Sequence, residues 1–332
     1  MKSTILVCAL LGLANAAPVT GAAESLEPIK FLSYLPAGDA GSLPYLVAVD
    51  QGYFKDAGLS PSISRLPSSS DISGAQVYLI GRALAYGFAA RRSMPGRMQA
   101  FNVNLQDDSH GDDAVLVKAG SQIDSVARLD KGRPIGVIQM GGSRVIVLKE
   151  ILKANGRNPE DFTFVDVDES SITDASGEAA PETVYAREPF KSILLARGGW
   201  KILVDGPLYP KHVFSPWGMS MTLFPESLLK NRPETAMKVV SVYDRALAFI
   251  RENPEKARRI LAAFLEKKYG IKDAHPGMSV YATAREIGPA AIQRQINWYA
   301  ANGLIPRRFS AESLLYLAEP QKEAGNLQAS RD

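Results

Sequence analysis

The sequence predicts an α/β protein whose alternating strands and helices give way to a helical C-terminal third. Three observations lead there. Short apolar runs bounded by glycine and proline alternate with helical patterns as far as Pro225. Beyond Pro225 the apolar residues recur almost entirely at a spacing of 3.6. Finally, 46% of the 332 residues are hydrophobic and 22% are charged, so the chain can form a core and is not a disordered one.

Residues 1–23 read as an export signal. Lys2 is the positive end, 5–13 the apolar stretch, and Ala14-Asn15-Ala16 or Ala23 offers small residues to a peptidase. The stretch is too short to span a bilayer, which needs about 20 residues, and no later run is long enough. The one cysteine, Cys8, lies inside the leader. The mature chain is therefore thiol-free, with no disulfide framework and no cysteine zinc site.

The elements follow in order. Residues 30–34 form a strand ended by Pro36 and Gly38, and Ser42 precedes a helix over 43–49 that Gly52 closes. The alternation in 62–66 marks a second strand, 71–82 reads as helix, and 83–88 as a third strand. Strands at 102–105 and 114–117 flank the polar loop 106–113. A buried-type strand at 134–138 runs through Gly141-Gly142-Ser143 into a helix over 145–155. Strands at 162–167, 183–186 and 201–204, with a helix over 190–197, complete a pattern expected to give a mostly parallel sheet. In the last third, Pro233 opens a helix with Ala236, Val239, Val240, Tyr243, Ala246, Leu247 and Ile250 on one face. Pro254 opens another that Gly270 ends. Ile292, Ile296, Trp298 and Tyr299 mark a third, and Ser310 caps a fourth.

A formal charge of +3 with scattered basic residues points away from a nucleic-acid partner. The three histidines, His110, His212 and His275, show no metal spacing, and neither a nucleophile turn nor a phosphate loop is present. The loop Asp107-Asp108-Ser109-His110-Gly111-Asp112-Asp113 fits no calcium pattern and reads as a solvated surface loop. No catalytic residue, metal or cofactor is expected. Binding has more support. Gly141-Gly142-Ser143 between a strand and a helix presents backbone N–H groups at the positive end of a helix dipole, with Arg144 beside them. An ordinary turn capped by Ser143 fits the same residues equally well.

The segment Pro44-Tyr45-Leu46-Val47-Ala48-Val49-Asp50-Gln51-Gly52-Tyr53-Phe54-Lys55-Asp56-Ala57-Gly58-Leu59 resembles the nitrate/sulfonate/taurine-type periplasmic substrate-binding proteins of ABC transporters, with their Ala-x-x-x-Gly-Tyr-Phe-x-x-x-Gly-Leu pattern. Proteins that bind the thiamine-pyrimidine precursor are relatives within this resemblance. Leu152-Lys153-Ala154-Asn155-Gly156, Pro159-Glu160-Asp161-Phe162 and Glu188-Pro189-Phe190 follow in the family's order, over roughly residues 28–317. The family's Gly-x-x-Asp-Ala is missing at 81–85 and its counterpart before Glu188-Pro189, which bears on the substrate subclass.

The resemblance implies a periplasmic-binding-protein type II fold: two α/β lobes with a two-segment hinge and a helical C-terminal extension. Lobe one would be 28–118 plus 216–332 and lobe two 119–215, with crossings near 115–120 and 215–223. It implies a periplasmic, monomeric solute-binding component that closes on a small anion (a sulfonate, taurine or nitrate) and serves ABC permease and ATPase subunits. By position, the family's pocket falls on Tyr34, Ala37, Gly38 and Ser42, on Ser69 and Ser70, on Tyr86 and Gly87, on Gly142, Ser143 and Arg144, and on Glu188 and Trp217. Glu188 is open to either a ligand amine or a structural hydrogen bond. The alternatives are a thiamine-pyrimidine-precursor binder, a periplasmic sensor or accessory protein, and an enzyme on this fold. The thiamine-pyrimidine synthases, which resemble the family, use a cysteine-rich iron motif that a thiol-free chain lacks.

Overall fold

The structure is a computed structural model that describes residues 25–33, 40–65, 76–81, 85–86, 98–168, 172 and 181–317. Residues 1–23, expected from the sequence to be a leader, lie outside the described residues together with Cys8, as do Tyr34, Ala37, Gly38, Ser69, Ser70 and Gly87.

Two mixed sheets carry the fold. The first has the order β11-β4-β10-β3-β1-β2, from β1 (Glu27–Ser33), β2 (Leu59–Arg65), β3 (Val77–Gly81), β4 (Met98–Gln106), β10 (Trp217–Pro225) and β11 (Val280–Thr283). The second has the order β7-β6-β8-β5-β9, from β5 (Asp113–Lys118), β6 (Ile135–Ile138), β7 (Phe164–Val167), β8 (Thr183–Arg187) and β9 (Trp200–Asp205).

The mostly parallel sheet expected from the sequence gives way to mixed pairing, and the reason is topological. β4 leaves the first sheet and β10 returns to it, side by side and antiparallel. β5 enters the second sheet and β9 leaves it, again as antiparallel neighbours. A chain that crosses out and back must run in opposite directions at the two crossings. β1–β2, β1–β3, β6–β7 and β6–β8 keep the parallel pairing.

The crossings themselves are 107–112 and 206–216. Those expected at 115–120 and 215–223 overlap β5 and β10, because the apolar residues there are strand interior. β5, assigned from the sequence to lobe one, pairs with β8 and β9 in the second sheet. Residues 77–81, read as the end of a helix, form β3. Its Val77 and Leu79 face one core and its Tyr78 and Ile80 the other, so both faces are buried and no polar alternation marks the strand. β11 was not expected in the helical third.

The helices are α1 (Leu43–Asp50), α2 (Tyr53–Asp56), α3 (Gly142–Ala154), α4 (Phe190–Ala196), α5 (Leu208–His212), α6 (Glu226–Asn231), α7 (Pro233–Glu252), α8 (Pro254–Tyr269) and α9 (Ala284–Ala301). Gly52 takes a left-handed conformation, with φ of 73°, where the chain turns from α1 into α2. Pro233 and Pro254 sit in the first turns of α7 and α8, where a missing N–H costs no hydrogen bond. The α7 stripe is buried against α1 and the first sheet, with Val240 at its margin. The opposite face of that sheet packs on α9, and the resulting core runs on into the second sheet under α3. No helix among the described residues is long and apolar enough to cross a membrane.

Candidate functional site

Two seams join the sheets. The first is aromatic and lies beside the start of α3. Trp217, the first residue of β10, stacks on Tyr209 of α5 with centroids 4.6 Å apart and 11° between the planes. It meets Trp298 edge-on at 5.0 Å, Tyr299 at 6.0 Å and Phe214 at 5.0 Å. Tyr299 in turn meets Tyr86 edge-on at 5.3 Å. The Tyr86 hydroxyl donates to Gln295 Oε1 at 3.3 Å, and Gln295 Nε2 donates to the Gly218 carbonyl at 2.9 Å. Trp217, Tyr86 and Tyr209 are buried.

α3 opens at the end of β6, a strand within the second sheet. Arg144 N and Val145 N donate back to the Gly141 carbonyl at 2.9 and 3.2 Å, and no side chain caps the helix. The Tyr209 hydroxyl donates to Ser143 Oγ at 3.5 Å, which ties the first turn to the aromatic seam. Burial pushes the Tyr209 hydroxyl up to about 12, so it remains a donor at neutral pH. Arg144 turns back on its own strand end, donating to the Ile138 carbonyl at 3.2 Å and to Gln139 Oε1 at 3.4 Å. Gly142 has a packing reason to be glycine: a Cβ there would stand 2.2 Å from Leu304 Cδ2. Leu304 follows the left-handed Gly303 at the end of α9, and its N–H donates to the Tyr299 carbonyl at 2.9 Å. The α9 terminus therefore reaches across to the first turn of α3.

The second seam is charged and lies at the crossings. Asp112 and Asp113 are fully buried. Asp112 accepts from Gln106 Nε2 at 2.7 Å and from Arg187 at 2.8 Å. Asp113 accepts from Leu208 N at 3.1 Å and from the Tyr185 hydroxyl at 3.2 Å. The backbones touch here. A Cβ on Gly206 would stand 2.5 Å from the Asp113 carbonyl oxygen, so the second crossing lies directly on the first. Burial and the charge of Asp112 push Asp113 up to about 6. Glu188 is buried as well. Its two oxygens accept from Gly277 N at 2.9 Å and Ser192 N at 3.2 Å.

Among the residues expected to line a pocket, the structure brings Ser143, Trp217 and Tyr86 to the aromatic seam and sets Gly142 and Arg144 beside them. Ser42 is buried in a 3-10 turn before α1, and that turn lies against β10. Glu188 is held by backbone N–H groups at the other seam, so of its two readings the structural one describes its contacts. His110 sits in an exposed turn, its ring Nδ1 2.9 Å from Asp107 Oδ1, while Ser109 N and His110 N also donate to that oxygen. The loop is solvated as far as His110, but Asp112 and Asp113 at its end are not. Sequence reasoning missed those two, with Arg187, Tyr209 and Leu304. The continuous apolar run 114–117, which Asp113 directly precedes as the first residue of β5, was the available signal for one of them.

The family model described as NMT1/THI5 like matches residues 40–257. No curated protein matches the chain. Among solved structures, the periplasmic aliphatic sulphonate binding protein SsuA from Escherichia coli superposes with a TM-score of 0.63 at 16% identity, covering 87% of this chain and 97% of that one. The alkanesulfonate-binding protein SsuA from Xanthomonas axonopodis pv. citri, bound to MOPS, gives 0.63 at 13% identity over 87% of this chain and 98% of that one. The desulfurization enzyme DSZB gives 0.62 at 16% identity over 87% and 96%. At these identities the likeness shows a shared fold, in keeping with the two α/β lobes that the family resemblance implies. With the family model spanning more than half of its length, the chain belongs to the NMT1/THI5-like family.

Proposed function

We propose that the protein is the periplasmic solute-binding component of an ABC importer, and that it captures a small anion between the two units. The units would be the first sheet with α1, α7 and α9, and the second sheet with α3 and α4. The observation that carries the reading is the start of α3. A glycine-rich first turn, uncapped by any side chain, sets the N–H groups of Gly142 and Ser143 at the positive end of a helix dipole, while those of Arg144 and Val145 bond the Gly141 carbonyl and the Ser143 hydroxyl accepts from Tyr209 of the aromatic seam. An anionic head would rest on that turn beside Ser143, and an organic body would extend along the residues near Tyr86, Tyr209 and Trp217. The sulfonate-binding proteins that share the fold support an anion with a sulfonate head.

The same support extends to a thiamine-pyrimidine-precursor binder through the family match. A catalytic reading draws on one observation, that DSZB shares the fold. Weighing against it, the only cysteine lies in the leader.

Thermal denaturation against a panel of sulfonates, taurine, nitrate, carboxylates and pyrimidines tests the reading. A ligand at a hundredfold excess over Kd adds about 2.7 kcal/mol of stability. No shift with any compound contradicts the proposal, and a shift with the pyrimidine alone transfers it to the second ligand class. With the ligand found, Ser143→Ala combined with Arg144→Ala should weaken binding at least about tenfold, from the loss of hydrogen bonds to a charged group. Unchanged affinity would place the head group elsewhere.

A further inference from the structure

The helical third of the chain does not stay on the first unit. α8 begins there, with Ala257 and Leu261 buried in the core of the first sheet. One turn later the same helix belongs to the second unit. Leu265 is buried in the core of the second sheet, and Phe264 and Tyr269 pack against that core. The spacing explains the change of partner. Ala257, Leu261 and Leu265 are four residues apart and share one face of the helix. A single apolar stripe therefore leaves one core and enters the other, over a rise of about 12 Å.

The chain then comes back. Gly270, with φ of 67°, ends α8 and turns the backbone. Ile271 and Ala274 return to the second core. Residues 275–279 lead to β11 at the edge of the first sheet. On the way they lie directly on the first crossing. A Cβ on Gly277 would stand 2.6 Å from the Gly111 carbonyl oxygen, so only glycine allows this approach. Gly277 N donates to Glu188 Oε1 of the second unit at 2.9 Å.

We propose that α8 and the strap 270–279 are a brace: a third and fourth crossing that fix how the two units are oriented. Two extended crossings lying side by side form a hinge and leave the units free to turn about it. A helix buried in both cores removes that freedom, because turning one unit against the other draws Leu261 or Leu265 out of a close-packed site. The helix cannot bend to follow such a turn without cost, since neither glycine nor proline interrupts 255–269. The aromatic seam with α9 lies on the other face of the first sheet, so α8 completes a tie on both sides of the crossings. With the brace released, the second unit should pivot about the aromatic seam.

The test reads the orientation of the units directly and needs no ligand. Spin labels are attached at Gln51→Cys, at the end of α1, and at Lys153→Cys, near the end of α3, in a chain carrying Cys8→Ser. Both labelled positions are exposed. Their distance distribution is measured by double electron–electron resonance with the brace intact and in Leu265→Ser with Ile271→Ser, which leaves Ala257 and Leu261 in the first core. Releasing the brace should add a second distance holding more than about 10% of the molecules, the upper range for a minor state of a two-state protein. A distribution that the double variant leaves unchanged overturns the proposal. Should the variant not fold, amide hydrogen exchange in the unsubstituted protein decides. Protection of 265–269 within about tenfold of that of β8 supports the brace, because the helix end then opens only with the second sheet. Weaker protection than that shows a helix end that detaches by itself and overturns it. Either outcome is independent of whether an anion binds at α3.

Discussion

Two seams join the sheets, one aromatic and one charged, and they hold by different physics. In the aromatic seam, Trp217 stacks on Tyr209 of the second crossing and packs against Trp298 and Tyr299 of its own unit, with no charge to neutralise. Its strength comes from apolar area and ring geometry, which change little with pH or salt. The charged seam buries Asp112, Asp113 and Glu188, with Arg187 bonded to Asp112. It fixes geometry, since each carboxylate has named donors, but it depends on every partner being present. The comparison teaches that the two ends of one interface can be separately adjustable, one by packing and the other by protons.

The largest effect expected is at the charged seam. Arg187→Leu leaves Asp112 buried without its cation and should cost about 3–5 kcal/mol in urea denaturation. A loss under about 1 kcal/mol would show that the seam tolerates an unpaired charge. Trp217→Ala should cost a similar or somewhat smaller amount, ~3–5 kcal/mol with allowance for collapse of the cavity. The contrast lies in pH dependence. The Trp217 loss should be the same at pH 5.5 and pH 8, whereas the Arg187 loss should grow on the alkaline side as the carboxyls ionise. Parallel behaviour would erase the distinction between the seams.

A smaller effect is expected where α9 meets α3. Gly142→Ala sets a methyl against Leu304 and should cost ~1–3 kcal/mol. Because the clash is with the end of a flexible side chain, Leu304→Ala in the same molecule should recover much of it. Additive losses in the double variant would mean that the two residues do not share this contact.

Much of this was legible in the sequence, for reasons that can be stated residue by residue. The α7 stripe, the first-turn prolines of α7 and α8, and Gly52 and Gly270 at turns follow from local periodicity and backbone conformation. Those features are written in neighbouring residues. The strand–turn–helix unit at Gly141-Gly142-Ser143 was readable for the same reason. β3 was not, because burial on both faces removes the polar alternation that identifies a strand. Nor was the exact site of the crossings: Asp112 and Asp113 follow a solvated turn in sequence and become buried only when Arg187 and Leu208, 75 and 95 residues away, close over them. For Gly142, the sequence suggested backbone amides, and the contact with Leu304 depended on a helix end far along the chain. Arg144 likewise reads as a free fork until its partners Ile138 and Gln139 are in place.

The central claim is that a small anion is held at the start of α3 between the units. Native mass spectrometry of the protein purified from its own cells tests it most directly. The account expects a fraction of molecules carrying one small anionic adduct, lost in Ser143→Ala with Arg144→Ala. An adduct that survives the α3 double variant, or none in the native protein even after incubation with the full ligand panel, would contradict it.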